Sequence, residues 1–278
     1  MGDDSSGEYE SAADDRIELE KTVSVSWLCI PSKKPAPEAQ MVIDRWRARG
    51  YKAAIWRDTG DAPVECDLLL TGEYPGYARA VNALSQEAVK RGAEWCILAG
   101  DDIDPDPTHD PAEIARECRE HFSDIHSERF NSGTLHPWQC NLSMEDFADW
   151  ATFGVMQPTG DRWGADRNDK NFCGSAYIDR VAGSAWCGAE YVRRMYRGTG
   201  PMCGEYFHMH ADECLQEVAI LMGVFWQRPD LTQMHNHWGR TSGRMPAYLK
   251  RANAEFAESA LLFARQKAAG FPGHEPCA

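Results

Sequence analysis

The residues best suited to chemistry stand in three places. The first is Trp95-Cys-Ile-Leu-Ala-Gly-Asp-Asp-Ile-Asp-Pro-Asp-Pro107, an apolar run that empties into Asp101, Asp102 and Asp104. Carboxylates at the carboxyl end of a buried parallel strand lie where open α/β sheets bind ligands. Hard cations such as Mg²⁺ or Mn²⁺ take oxygen ligands and bridge one or two carboxylates to substrate phosphates. The ordinary use of such a triplet is a solvated turn that caps the next element, and its position after a buried strand argues against that. The second place is His208-Met-His-Ala-Asp-Glu213, which puts Asp212 and Glu213 at the start of an amphipathic helix, where the dipole favours negative charge. The third is Pro229-Asp-Leu-Thr-Gln-Met-His-Asn-His-Trp-Gly-Arg240, a loop carrying His235 and His237. Histidines at i and i+2 both reach one metal only from an extended or looped backbone; more often one is a ligand and the other structural.

The elements that must position these groups alternate. A strand over Val23 to Ile30 runs into Pro31-Ser32-Lys33-Lys34-Pro35, and a helix over Pro37 to Arg49 closes at Gly50. Lys52 to Trp56 and Asp67 to Leu70 read as short strands. A helix over Tyr77 to Arg91 sets Ala80, Leu84 and Ala88 on one face and stops before Gly92, and Trp95 to Ala99 is the next strand. This order predicts right-handed crossovers and a mostly parallel, Rossmann-like central sheet flanked by helices. Further on, the patterns predict a helix near Pro111 to His121, strands over Phe153 to Pro158 and Ala176 to Val181, and a helix over Gly188 to Arg197. A helix over Asp212 to Met222, a strand over Val224 to Gln227 and a closing helix over Pro246 to Gly270 complete the reading. Gly183-Ser-Ala-Trp-Cys-Gly188 reads as a small-residue loop that turns Trp186 to a cleft, and the Gly154 to Gly164 stretch as a lid or sugar-recognition loop. Trp138, Trp150, Trp163, Trp226 and Trp238 offer further stacking surfaces, although most of ten tryptophans belong to packing.

Composition narrows the classes. Residues 1 to 20 hold eight acids against one base, half of the formal charge of −14, and predict a disordered acidic tail over 1–21. The body is acidic too, so a broad basic face for nonspecific DNA binding is not expected, although Arg240, Arg244, Lys250 and Arg251 cluster locally. No stretch of about 18 apolar residues and no signal-peptide pattern is present, which predicts a cytoplasmic protein without a membrane segment. The ten scattered cysteines show no CxxC pair and are expected mostly as buried thiols in a reducing compartment. The expected layout is a catalytic domain over 22–245, with a nucleotide-binding half over 22–104 and an acceptor-binding half over 105–245, followed by a helical extension over 246–278.

An alternating first half, a strand ending in DxD, a later acid pair opening a helix and a C-terminal histidine together resemble the nucleotide-sugar-dependent glycosyltransferases of the type A fold, over about residues 23 to 240. The resemblance implies an α/β fold of that type and a divalent cation, Mn²⁺ or Mg²⁺, held by Asp102 and Asp104, or by Asp101 and Asp102 in the alternative register. His235 or His237 would complete the ligand set, and Asp212 or Glu213 would be the general base. It implies a nucleotide-sugar donor, foremost a UDP-sugar, bound by Pro31, Ser32, Arg57, Asp58, Arg79, Asn82, Asp101, Asp102 and Trp186. Arg79 and Asn82 enter through Gly76-Tyr-Ala-Arg-Ala-Val-Asn82, which is similar to the family's stretch beside the nucleoside. Lys33 and Lys34 would add charge near the diphosphate or serve as solvated loop lysines. The late segments also look like glycosyltransferase-like proteins of tailed bacteriophages, which implies modified DNA bearing hydroxymethylated pyrimidines as an acceptor. A metal-dependent nucleotidyltransferase or phosphoesterase groups the same residue types, and a binding module would keep the site without turnover.

Overall fold

The computed structural model describes residues 26–134, 147–161, 183–238, 245 and 249–277. Its first part alternates as expected: β1 (Ser26–Pro31), α1 (Ala36–Ala48), β2 (Lys52–Asp58), β3 (Leu68–Gly72), α2 (Tyr77–Lys90) and β4 (Trp95–Leu98). Then come α3 (Pro111–Ser132), α4 (Phe147–Trp150), β5 (Val155–Pro158), β6 (Ala185–Gly188), α5 (Ala189–Gly198), α6 (Ala211–Leu221) and β7 (Phe225–Arg228). The chain closes with α7 (Leu249–Ala254) and α8 (Phe256–Ala268).

The strands form one mixed sheet in the order β3-β2-β1-β4-β6-β5-β7. β6 runs antiparallel to β4 and β5, and the other pairings are parallel. Trp27 to Ile30 and Trp95 to Leu98 are buried, as central strands covered by helices on both faces must be. From β1 the chain winds outward to β2 and β3, and α2 then returns it to β4 on the other side of β1. That reversal is a topological switch point, and it opens a crevice beyond the carboxyl ends of β1 and β4, where Ser32 and Asp101 stand.

Helix α1 buries Val42, Ile43 and Trp46 at helical spacing. The Trp46 indole donates to the Ile103 carbonyl at 2.9 Å, so the helix anchors the acidic loop as well as the sheet. Gly50 and Gly92 adopt positive φ after α1 and α2, where a residue with a β-carbon would be strained.

Three elements differ from expectation. Helix α3 runs well past His121, to Ser132. Asp110 caps its start by accepting from the Ala112 amide at 2.7 Å. Ile114, Cys118, Phe122 and His126, four residues apart, give it a continuous buried stripe in an otherwise charged sequence. The segment expected as a loop around Trp186 is instead strand β6, with Trp186 fully buried against Tyr51. The single closing helix is two, α7 and α8. Gln266 of α8 accepts from the Tyr206 hydroxyl at 2.8 Å and Phe271 is buried, so this extension packs against the body.

Among the described residues, Cys29, Cys96, Cys118, Cys187, Cys203 and Cys214 are buried free thiols, while Cys66 is half-buried and Cys277 exposed. No helix among them is long and apolar enough to cross a membrane. The acidic tail, the Ala176 to Val181 strand, Trp138, Trp163, Arg240 and Arg244 lie outside the described residues.

Candidate active site

The acidic loop and the histidine loop meet. Leaving β4, residues 102–104 run antiparallel to 234–236: the Asn236 amide donates to the Asp102 carbonyl at 2.7 Å, the Asp104 amide donates to the Met234 carbonyl at 3.0 Å, and Ile103 pairs with His235. This brings His235 Nε2 to 3.3 Å from Asp102 Oδ2. Gly100 is required locally, since a β-carbon there would stand 2.6 Å from Asp102 Oδ1. Burial pushes the Asp102 carboxyl upward, but the His235 imidazole beside it, with Lys34 and His237 nearby, outweighs burial and holds it below the usual carboxylate range.

Asp101 is buried and accepts from the Ser32 hydroxyl at 2.6 Å, which ties the end of β4 to the end of β1. Burial raises its pKa against the opposing effect of Lys34, whose ammonium lies 3.5 Å from Asp101 Oδ1 and donates to the Asp101 carbonyl. Lys33 is exposed and pairs with Asp58 at 2.8 Å and Asp61 at 3.2 Å, so neither lysine is a simple solvated loop residue.

The second acidic pair opens α6. Asp212 and Glu213 are half-buried in the wall of the same cavity as Asp101, Asp102 and His235. Burial pushes the Asp212 carboxyl well above its ordinary range, and the adjoining Glu213 carboxylate pushes it the same way. His210, the residue before α6, adopts a left-handed conformation (φ 63°). Gly76 lets the start of α2 approach this segment: the Tyr77 amide donates to the Phe207 carbonyl at 2.5 Å, and a β-carbon on Gly76 would stand 2.6 Å from that oxygen.

The cavity measures about 1110 Å³. Pro31, Ser32, Asp58, Asp101, Asp102 and Asp212 line it, as do Glu213, His235 and His237. Five expected site residues lie elsewhere. Arg57 is buried and donates to the carbonyls of Ser32 (2.9 Å), Lys34 (2.7 Å) and Ala62 (3.3 Å); it shapes the β1 loop instead of meeting a donor. Asn82 makes paired bonds to the Met202 backbone at 2.8 and 3.0 Å, and Arg79 donates to the Gly204 carbonyl at 2.8 Å. Trp186 is enclosed in the sheet. Asp104 turns to Arg45 (3.0 Å) and to the Asn236 amide (2.8 Å), so the members of the acidic triplet on the cavity are Asp101 and Asp102, the alternative register. In the expected lid, 155–158 is buried strand and Asp161 accepts from the His235 amide at 3.4 Å, while 162–164 lie outside the described residues.

Sequence reading missed Trp56, Tyr74, Tyr77 and Phe207, which also line the cavity, together with His208 of the second cluster. Trp56 and Tyr74 sit near the carboxyl ends of β2 and β3, the same sheet edge that selected Asp101, and that position was the available signal.

The donor set fits a divalent cation in part. Two ligands about 2.1 Å from one ion, at right angles, stand about 3 Å apart, close to the Asp102–His235 separation. Among the described residues no group of three or more His, Cys, Asp or Glu side chains is arranged to hold an ion. The contact that could hold a cation is therefore that of Asp102 with His235, and the further positions of a Mg²⁺-type ion would go to other oxygen ligands and water. The chain matches no protein-family model and no curated protein.

Proposed function

We propose that this chain is a cation-dependent glycosyltransferase that moves a sugar from a nucleoside-diphosphate donor, foremost a UDP-sugar, to an acceptor hydroxyl on a type A glycosyltransferase fold. The observation that carries the reading is the 3.3 Å contact of Asp102 with His235 at the sheet's switch point, in one cavity with the acid pair of α6. When bound there, a Mn²⁺ or Mg²⁺ ion neutralises charge developing on the departing diphosphate.

The chain's own residues supply the rest. Asp102 and His235 fix the diphosphate end of the donor beside the Ser32–Asp101 clasp. Trp56 and Tyr74 offer ring surfaces to the nucleoside near the ends of β2 and β3. Asp212, with its raised proton affinity, accepts the acceptor's hydroxyl proton as that oxygen bonds to the sugar's anomeric carbon and the carbon–oxygen bond to the diphosphate breaks. A base whose pKa lies nearer the working pH is better matched to this task than an ordinary carboxylate. Burial keeps it so, and the Glu213 carboxylate adds to the effect. One such base serves a single displacement, which inverts the anomeric centre. Hydroxymethylated pyrimidines in DNA are one acceptor of this kind, each presented as a single base taken out of the stack.

The test is incubation with a panel of nucleotide sugars, with and without Mn²⁺, alongside DNA containing hydroxymethylpyrimidine, followed by digestion to nucleosides and mass measurement. Cation-dependent release of nucleoside diphosphate with a hexose or pentose mass added to an acceptor is expected. Release of inorganic phosphate or nucleoside monophosphate alone would instead indicate a phosphoesterase or nucleotidyltransferase.

A further inference from the structure

The cavity is acidic, yet the donor proposed for it is an anion. Asp58, Glu73, Asp101, Asp102, Asp212 and Glu213 all line it. Among the described residues, its lysine and arginine are Lys33 and Arg251. Lys33 is already closed between Asp58 and Asp61, and Lys34 beside it in sequence is tied to Asp101. A departing diphosphate carries more negative charge than one divalent ion neutralises, and an ion held by Asp102 spends part of its charge on that carboxylate. The remaining charge calls for a second cation.

Arg251 is placed to be that cation. It stands on α7, which with α8 walls one end of the cavity through Leu249, Phe256, Ala260 and Phe263. Its guanidinium carbon lies 4.0 Å over the Phe207 ring. Phe207 is itself fixed, because its carbonyl accepts from the Tyr77 amide and Tyr74 meets its ring edge-on, with centroids 5.6 Å apart. Burial raises the pKa of the Tyr74 hydroxyl, Asp58 and Asp101 push the same way, and Arg251 opposes them. The guanidinium therefore shares its surroundings with Tyr74 and with the carboxylates that follow β2 and β4, the donor end of the site. Glu255 accepts from Nε at 3.0 Å, and neither terminal nitrogen makes a hydrogen bond to the described residues. Stacking holds the guanidinium plane and Glu255 holds one edge, which leaves Nη1 and Nη2 as a preset fork for two phosphate oxygens. An ordinary (i, i+4) surface pair requires neither the aromatic ring nor the cavity.

We infer that Arg251 is a phosphate-binding residue, whose terminal guanidinium nitrogens donate to the donor's diphosphate from α7 while Asp102 and His235 hold the cation. This rests on the glycosyltransferase reading for the identity of the anion, but the arginine fork itself is read from α7 and Phe207. As the bond between the anomeric carbon and the diphosphate oxygen breaks, its electron pair stays on that oxygen. Arg251 answers the added charge with hydrogen bonds and keeps its proton.

The test is calorimetric titration of the full chain with uridine, UDP and inorganic pyrophosphate, each with Mn²⁺, comparing wild type with Arg251→Gln and Arg251→Lys. Arg251→Gln is expected to weaken UDP and pyrophosphate binding at least about tenfold, the scale of lost charge-assisted hydrogen bonds, and to leave uridine unchanged. Arg251→Lys, which keeps the charge but not the fork, should fall between the two. The Arg251 side chain is 65% exposed, so neither substitution should disturb the fold, which melting curves check. Anion affinities equal in wild type and Arg251→Gln, or a loss of uridine binding as large as that of UDP, would overturn the proposal. A wild-type chain that binds neither anion would overturn it as well. Pyrophosphate binding that depends on Arg251, with no gain from the uridine moiety and no sugar transfer, would count against the glycosyltransferase reading alone.

Discussion

Carboxylates in the two acidic segments, the loop after β4 and the start of α6, receive different treatment from their surroundings. The loop after β4 surrounds its carboxylates with donors and cations: Asp102 has His235, and Asp106 accepts from the Thr108, His109 and Thr232 amides at 2.8, 2.8 and 2.5 Å. For Asp106 these bonds overcome burial and bring the carboxyl down to about 2. At the start of α6, burial and a second carboxylate push Asp212 the other way, as burial does more mildly for Asp101 beside Asp102. Sites that separate a fixed anion from a proton acceptor divide their carboxylates in this manner. The loop after β4 is suited to holding a cation or a donor, and the start of α6 to moving a proton.

Replacing Asp212 should break this contrast most sharply. Asp212→Asn is expected to lower kcat by about 10²- to 10⁴-fold, the usual contribution of a positioned base, in steady-state assays of nucleoside diphosphate release. The same substitution should raise Tm near neutral pH, because it removes a charge the fold disfavours. With a raised folded pKa, the stability carried by the Asp212 proton is complete below the unfolded value of about 4. It declines as pH rises and is lost above the raised folded value. The gain from Asp212→Asn should therefore shrink towards zero in melting curves taken below about pH 4. A gain independent of pH would contradict the assigned cause.

Asp106 tests the other side. Asp106→Ala leaves three backbone donors without their acceptor and should cost about 2–3 kcal/mol in urea unfolding at pH 7. Its folded pKa is depressed, so the wild-type advantage should be present above about pH 4 and fade as pH falls towards 2. The smallest effect is expected at Asp104, which is turned away from the cavity. Asp104→Asn should change stability by less than about 1 kcal/mol, the scale of a partly exposed ion pair, and leave nucleotide affinity unaltered.

The sheet's first half was legible because its strands are short apolar runs bounded by turn residues, and Gly50 and Gly92 mark the helix ends. The meeting of the acidic and histidine loops was also expected, since both carry ligand-type residues after strands. Arg57, Asn82 and Trp186 were misread for a shared reason. A buried polar or aromatic side chain has the same sequence appearance whether it meets a substrate or a backbone carbonyl, and the partners of Arg57 and Asn82 are set by tertiary packing. Asp104 entered through the family resemblance, with the Asp101–Asp102 register left open, and Arg45 of α1 and Asn236 of the late loop decide its direction. The aromatic wall from α8 carried no local signal, because a Phe on an amphipathic helix reads as core until the fold shows which face is covered.

The central claim is that Asp102 and His235 together hold a cation against a donor diphosphate. The most direct measurement is calorimetric titration of UDP into the wild-type chain, Asp102→Asn and Asp104→Asn, each with and without Mn²⁺. The account predicts Mn²⁺-dependent binding that Asp102→Asn weakens at least tenfold and Asp104→Asn leaves intact. UDP binding indifferent to Mn²⁺, or lost equally in both variants, would contradict it.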